Sequence, residues 1–299
     1  MKIIEILRSD KPSISFEVFP PKKREGDLFN ADLTAQEMAR TKTTVSEIAA
    51  LSPSFISVTY GAAGGTTGAN TCEIARHVQS CGTPALAHLT CITSNREKIA
   101  DELKAFREAK IENLLCLRGD YPKDFERNGA QSFAHAEDLV KALRPSTFCL
   151  GGACYPEGHP ECAHLKDDIA HLKTKVDAGL DFLTTQMFFD NNVYFHFLAA
   201  LRDAGVTVPV VAGVMPVTNG KQIKRICELS GTHLPPRFRA IVDRFGDNAE
   251  AMLDAGVAYA TEQIIDLFAC GVTNVHVYTM NKPEIARRIT ENLKGIIKR

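Results

Sequence analysis

The sequence predicts an α/β fold closed into a (β/α)8 TIM barrel, and three observations lead there. Eight short apolar runs alternate with longer stretches of helical period. Eight such repeats within 299 residues match the size of a barrel closed on itself. The first run leads into FPPKKREGD, whose two prolines do not suit the glycine turn with which an open doubly wound sheet holds a nucleotide.

The runs read as strands are ISFEVFP (14–20), FISVTYG (55–61), PALAHLT (84–90), NLLCLRG (113–119), TFCLGGACY (147–155), DFLTTQMFF (181–189), VPVVAGVMP (208–216) and NVHVYTM (274–280). Between them, segments such as REKIADELKAFREAK (96–110) repeat apolar residues every three or four positions, as an amphipathic helix does. Thr93 and Ser94 are placed as caps before that segment, and Asp190 and Asn191 before the sixth helix. The stretch 231–248 is too long for a simple connection and is read as an extra helix before the last helix–strand pair. With no low-complexity linker, solenoid repeat or composition break, 1–299 is expected to be a single barrel domain.

Composition narrows the partners. Lys and Arg number 35 against 36 Asp and Glu, and a net charge of −1 gives no electrostatic footprint for nucleic acid or an anionic membrane. No run approaches the roughly 20 apolar residues of a membrane span. The opening MKIIEILRSDKPSISFE has charges inside its apolar run and no small-residue cleavage site, so it does not read as a signal peptide. Nine cysteines, an odd number scattered through strand-like runs, suit reduced core thiols. A cytoplasmic protein acting on a small molecule is the expectation.

Strand alternation then selects the residues that face inward. Ile14, Phe16 and Val18 face the helices, which turns Ser15 and Glu17 into the barrel. The same parity places Ser57, Thr59, His88, Thr184 and Gln186 inside, and strand 4 ends in LRGD, with Arg118 and Asp120 at the end where such barrels carry their sites. Glu17, between Phe16 and Val18, is expected to have a raised pKa, suited to a general acid; a buried salt-bridge partner is the other reading. Asp120 reads as a fixed charge beside a bound ring, or as a helix N-cap. GAAGGTTGAN (61–70) resembles a phosphate cradle but matches no established pattern, and reads equally as a turn. CYPEGHPECAH (154–164) offers zinc-type ligands at a spacing that fits no common zinc site. Lys175 and Asp177, in LKTKVDAGLDF (172–182), read as a solvated charged face.

Taken together, SFEVFPPK (15–22), SVTYGA (57–62), HLTC (88–91), LRGD (117–120), YPEGHPE (155–161), KVDAG (175–179), TQMFFD (185–190), GVMPVTN (213–219) and YTMNKPE (278–284) resemble the bacterial methylenetetrahydrofolate reductases along essentially the whole chain. The resemblance implies FAD held non-covalently, and reduction of methylenetetrahydrofolate to methyltetrahydrofolate by NAD(P)H through a ping-pong hydride relay. It implies Glu17 as general acid and Asp120 as the carboxylate that meets flavin and pterin. It implies FAD contacts from Thr59, Tyr60, Ala62, His88, Arg118, Gly119, Asp120, Tyr155, His159, Asp168 and Lys175. Arg118, His159 and Lys175 would supply positive charge and donors to the pyrophosphate and ribityl chain. Substrate contacts would come from Glu17, Thr59, Asp120, Gln186 and Lys282, no metal is implied, and family members commonly form homo-oligomers. The chain departs from the pattern where an aromatic residue follows the PVSN-like turn (here Gly220), where an arginine follows the late YTLN-like motif (here Lys282), and at Thr174. Two other readings stand beside it: a flavin- or folate-binding barrel subunit receiving electrons from a partner protein, and a metal-dependent lyase or hydrolase using the Cys/His loop.

Overall fold

The computed structural model describes residues 1–21, 31–60, 68–121, 133–144 and 146–297. Eight strands, β1 (Ser13–Val18), β2 (Ile56–Val58), β3 (Ala85–Thr90), β4 (Asn113–Leu117), β5 (Cys149–Cys154), β6 (Phe182–Thr185), β7 (Val210–Val214) and β8 (Asn274–Val277), pair in parallel and in sequence order into a closed barrel. β1 pairs with β2 through Glu17↔Ser57 and closes the ring onto β8 through Ser15↔His276. The expected (β/α)8 architecture is what the chain adopts.

The helices are α1 (Ile3–Leu7), α2 (Ala31–Ala49), α3 (Gly68–Ser80), α4 (Arg96–Glu108), α5 (Ala136–Leu143), α6 (Leu165–Asp177), α7 (Asn191–Asp203), α8 (Gly220–Ser230), α9 (Pro236–Phe245), α10 (Ala249–Ala269) and α11 (Pro283–Asn292). α9 falls inside the stretch read as an extra helix. Asp190 caps α7 as expected, its side chain accepting from Asn192 N. The cap of α4 is corrected: Asn95, not Thr93 or Ser94, accepts from Lys98 N at 2.8 Å. An Asn carboxamide directly before the first helical residue reaches the orphan N–H groups of the first turn.

Inward and outward residues alternate along each strand as expected. Ile14, Phe16, Val18, Ile56, Val58, Ala87, Leu89, Leu183 and Val275 pack outward with the helices in one core. Phe55, Leu86, Leu115, Cys149, Phe182 and Val211 fill the barrel from within. Ile3 and Leu7 of α1 join that inner cluster and plug the barrel's N-terminal end, which nothing in the sequence reading anticipated. Gly151 makes room for this packing, since a Cβ there would lie 2.4 Å from the Phe182 ring. Among the described residues no helix is long and apolar enough to cross a membrane.

Candidate active site

The inner apolar layer stops short of the C-terminal end of the barrel, and above it the inward residues turn polar. Glu17, Ser57, His88, Thr184 and His276 line the floor of a cavity of about 540 Å³, within the usual size of a ligand pocket. Thr59, Tyr60, Arg118, Asp120, Tyr155, His159 and Gln186 line its walls. Thr59 and Gln186 stand just beyond β2 and β6, and their backbone amides bond back to Val18 O and Cys154 O. The barrel therefore brings together residues scattered from position 17 to 280.

Glu17 is 8 % exposed. Burial pushes its carboxyl up from 4.5 to about 8, because the charged form has lost its water. Burial also drives His88 and His276 down to about 3. Glu17 Oε2 lies 3.9 Å from His88 Nε2. Burial thus disfavours the charged form of both partners, and at 3.9 Å their contact is longer than a hydrogen bond. Two further buried atoms at this floor, His88 Nε2 and Thr184 Oγ1, have no hydrogen-bond partner within the protein.

His276 and Tyr278 were missed from the sequence. The His276 ring is wedged between the Ser15 hydroxyl (Nδ1, 2.7 Å) and the Ser57 hydroxyl (Nε2, 3.0 Å) and is stacked on Phe55. Tyr278 donates to Thr185 O at 2.6 Å and lines the same cavity. It fits because Gly213 has no side chain: a Cβ there would lie 2.8 Å from the Tyr278 ring. The alternation used for the other strands, applied to NVHV, points His276 inward between Val275 and Val277.

Beside the mouth lies a second cavity of about 330 Å³, which shares Arg118, Ala153, Tyr155, His159 and Glu161 with the first. Asp168 and Lys175 line only this one. Lys175 is therefore not on the solvated face expected of it. Its ammonium donates to Ala153 O at 2.7 Å, and burial holds its pKa below the usual lysine value. Asp177 does face solvent, paired with Lys173. Arg118 presents both guanidinium nitrogens to Glu161, at 2.5 and 2.8 Å, and covers the Tyr121 ring. The expectation that His159 adds positive charge is corrected: burial lowers its pKa, and its Nδ1 accepts from Glu161 N. Asp168 accepts from His159 N at 3.1 Å, which fixes the loop between β5 and α6.

Gly119 and Lys282 line neither cavity. Gly119, with φ +87, turns the chain between Arg118 and Asp120; a Cβ there would lie 3.1 Å from Thr90 Cβ. Lys282 precedes α11 and donates to Thr218 Oγ1 at 3.0 Å. Ala62 and most of the glycine-rich run 61–70 lie outside the described residues. Gly220 opens α8 so close to Gly246 that a Cβ would lie 2.4 Å from Gly246 Cα. α8 instead offers Ile226, Leu229 and Ser230 to the mouth. The Cys/His loop does not converge: Cys154 belongs to the outer core, and Cys162 donates to His164 O. Among the described residues no three His, Cys, Asp or Glu side chains are grouped to share a metal ion.

The family model for methylenetetrahydrofolate reductase matches residues 2–294. A maize relative, methylenetetrahydrofolate reductase (NADH) 1, is 35% identical over 314 residues, covering 99% of this chain and 50% of the relative. The chain thus spans about half the length of the plant relatives it matches. The 5,10-methylenetetrahydrofolate reductase of Escherichia coli is 31% identical over 284 residues, covering 94% of this chain and 90% of that one. Among solved structures, a Clostridium thermocellum protein that binds two copies of 5-methyl-5,6,7,8-tetrahydrofolic acid superposes with a TM-score of 0.67. At 14% identity, over 99% of this chain and all of that one, this likeness speaks to fold alone. With the family pattern matched along almost its entire length, the chain belongs to the methylenetetrahydrofolate reductase family.

Proposed function

We propose that the chain reduces methylenetetrahydrofolate to methyltetrahydrofolate, with FAD as cofactor and a reduced nicotinamide as electron donor. The observation that carries this reading is Glu17, a carboxyl buried on the floor of a cavity large enough for a planar ligand, where loss of water pushes its pKa up to about 8. Family membership supports the substrate, and the names of the maize and rice relatives favour NADH over NADPH as the donor to test first.

The residues fit a flavin dinucleotide. The mouth suits a flat ring system, and the side cavity beyond Arg118 leaves space for the remainder of an elongated molecule. Arg118 at the junction and Lys175 in the side cavity are the cationic donors for a diphosphate. The unpartnered His88 Nε2 and Thr184 Oγ1 await a polar ring edge. When bound, the flavin supplies a two-electron carrier between nicotinamide and folate in successive half-reactions. Glu17 donates its proton to a ring nitrogen of the folate, so that the five-membered ring opens to an electrophilic iminium, and regains it from solvent afterwards. Asp120 stands at the exposed rim and orients the ring that enters. Gln186 offers a carboxamide to the same ring, and its own Oε1 accepts from Met187 N.

The test is a pair of half-reactions on FAD-reconstituted protein. NADH bleaches the flavin in both wild type and Glu17→Gln, whereas methylenetetrahydrofolate reoxidises it in wild type alone. Folate reduction by Glu17→Gln at the wild-type rate would overturn the assignment. A wild type whose flavin resists both NADH and NADPH would point to a binding barrel fed by another protein.

A further inference from the structure

Beyond Phe16↔Val277 the ladder between β1 and β8 ends: Tyr278 N continues the pairing with β7 at Val214 O, while Thr279 O, the next carbonyl on the β1 side, accepts from Lys282 N. The Glu17 carbonyl and the Phe19 amide and carbonyl, which face the β8 side, lose their backbone partners there. Side chains replace them. Thr279, fully buried, donates its hydroxyl to Glu17 O at 3.0 Å. Asn281 accepts from Phe19 N at 2.7 Å and donates to Phe19 O at 2.8 Å, so its carboxamide imitates a strand peptide. Reaching this position requires two consecutive left-handed residues, Met280 (φ +54) and Asn281 (φ +56), neither of them glycine. Such conformations cost on the order of 1 kcal/mol each and persist only where their surroundings fix them.

We infer that Asn281 is a positioning residue for Glu17: by extending the β8 ladder with its side chain, it locks residues 17–19 and holds the acid in the dry interior of the mouth. This rests on the reading of Glu17 as proton donor. Without the lock, the end of β1 keeps only the Thr279 hydroxyl on its β8 side, beside Thr59 N to Val18 O on its β2 side, and water gains access along the β1–β8 seam. Among the described residues the titratable groups facing Glu17 are His88 from β3, His276 from β8, Tyr278 just past β8 and Asp120 past the end of β4, while β2 and the residue after it present Ser57 and Thr59.

Asn281→Gly separates geometry from bonding, since glycine adopts positive φ freely while both bonds to Phe19 disappear. Asn281→Asp keeps the acceptor for Phe19 N and loses the donor to Phe19 O. The readout is the pH profile of flavin reoxidation by methylenetetrahydrofolate in single-turnover mixing, with thermal unfolding run in parallel. In wild type the alkaline limb falls near the Glu17 pKa. In Asn281→Gly it is expected about one pH unit lower, as the carboxyl gains water, with Asn281→Asp between them. A limb at the wild-type position in both folded variants overturns the inference. Should Asn281→Gly not fold, the shift in Asn281→Asp decides alone. Glu17→Gln in the same assay keeps the two ideas apart: activity there sinks the proton-donor reading, whereas an inactive Glu17→Gln beside unshifted Asn281 variants sinks only the positioning role.

Discussion

Replacing Glu17 with glutamine should stabilise the protein, and by an amount that grows with pH. The folded carboxyl titrates at about 8 against 4.5 in an unfolded chain, with burial as the cause. Between those values the native state keeps a proton that the unfolded state has released, so stability is lost as pH rises. At about 1.4 kcal/mol per pH unit, the cost is near zero below pH 4.5, about 3 kcal/mol at pH 7 and about 5 kcal/mol above pH 8. Glutamine has the shape of the neutral acid and carries no such cost. His88 and His276 act in the opposite sense: their folded values near 3 withdraw stability as pH falls below 6.5. Both are present in wild type and variant, so they cancel in the difference. Urea unfolding at pH 5, 7 and 9 reads that difference directly. A constant gap between the two proteins, or a variant less stable at pH 9, would refute the account of Glu17 as a buried acid kept neutral by desolvation.

Two further substitutions probe the cofactor contact and the packing behind the site. Arg118→Lys replaces a planar fork by a point charge, and FAD affinity, followed by recovery of free flavin fluorescence, should weaken about tenfold; unchanged affinity would remove Arg118 from the phosphate contact. In the middle of α10, Gly256→Ala should destabilise by about 2 kcal/mol or more, because the added Cβ would lie 1.8 Å from Val217 O. A helix free of that backbone contact would instead gain up to about 1 kcal/mol from alanine, so the sign of the change in urea midpoint decides.

The barrel and most of its mouth were legible because strand alternation is a local property. Once Ile14, Phe16 and Val18 are assigned outward, Glu17 has only one side left, and the same logic finds His88 and Thr184. Applied to β8 it finds His276 too, although four residues holding one polar side chain between two valines look like any buried strand. Other features are set by partners far away in sequence. Lys175 on an amphipathic helix looks solvated until the Ala153 carbonyl on β5 is placed beneath it. α1 is five residues long, too short for a helical period to register, and only the open end of the barrel gives it a role. Gly220 shows the converse, since a departure from the family pattern is accounted for by Gly246, 26 positions later, approaching its backbone.

Depth along the barrel axis divides the labour between the two carboxyl groups. Glu17 sits one residue before the end of β1, below the rim, where His88, Ser57 and the inner apolar layer exclude water. Asp120 sits three residues past the end of β4, exposed at the lip. A displacement of four residues relative to the strand ends separates a carboxyl closed off from water from one that meets it. The chemistry of the mouth therefore depends on where each strand stops as much as on which residues it carries. That is why the side chains of Thr279 and Asn281, which extend one strand's pairing by a few positions, bear on the acid at position 17.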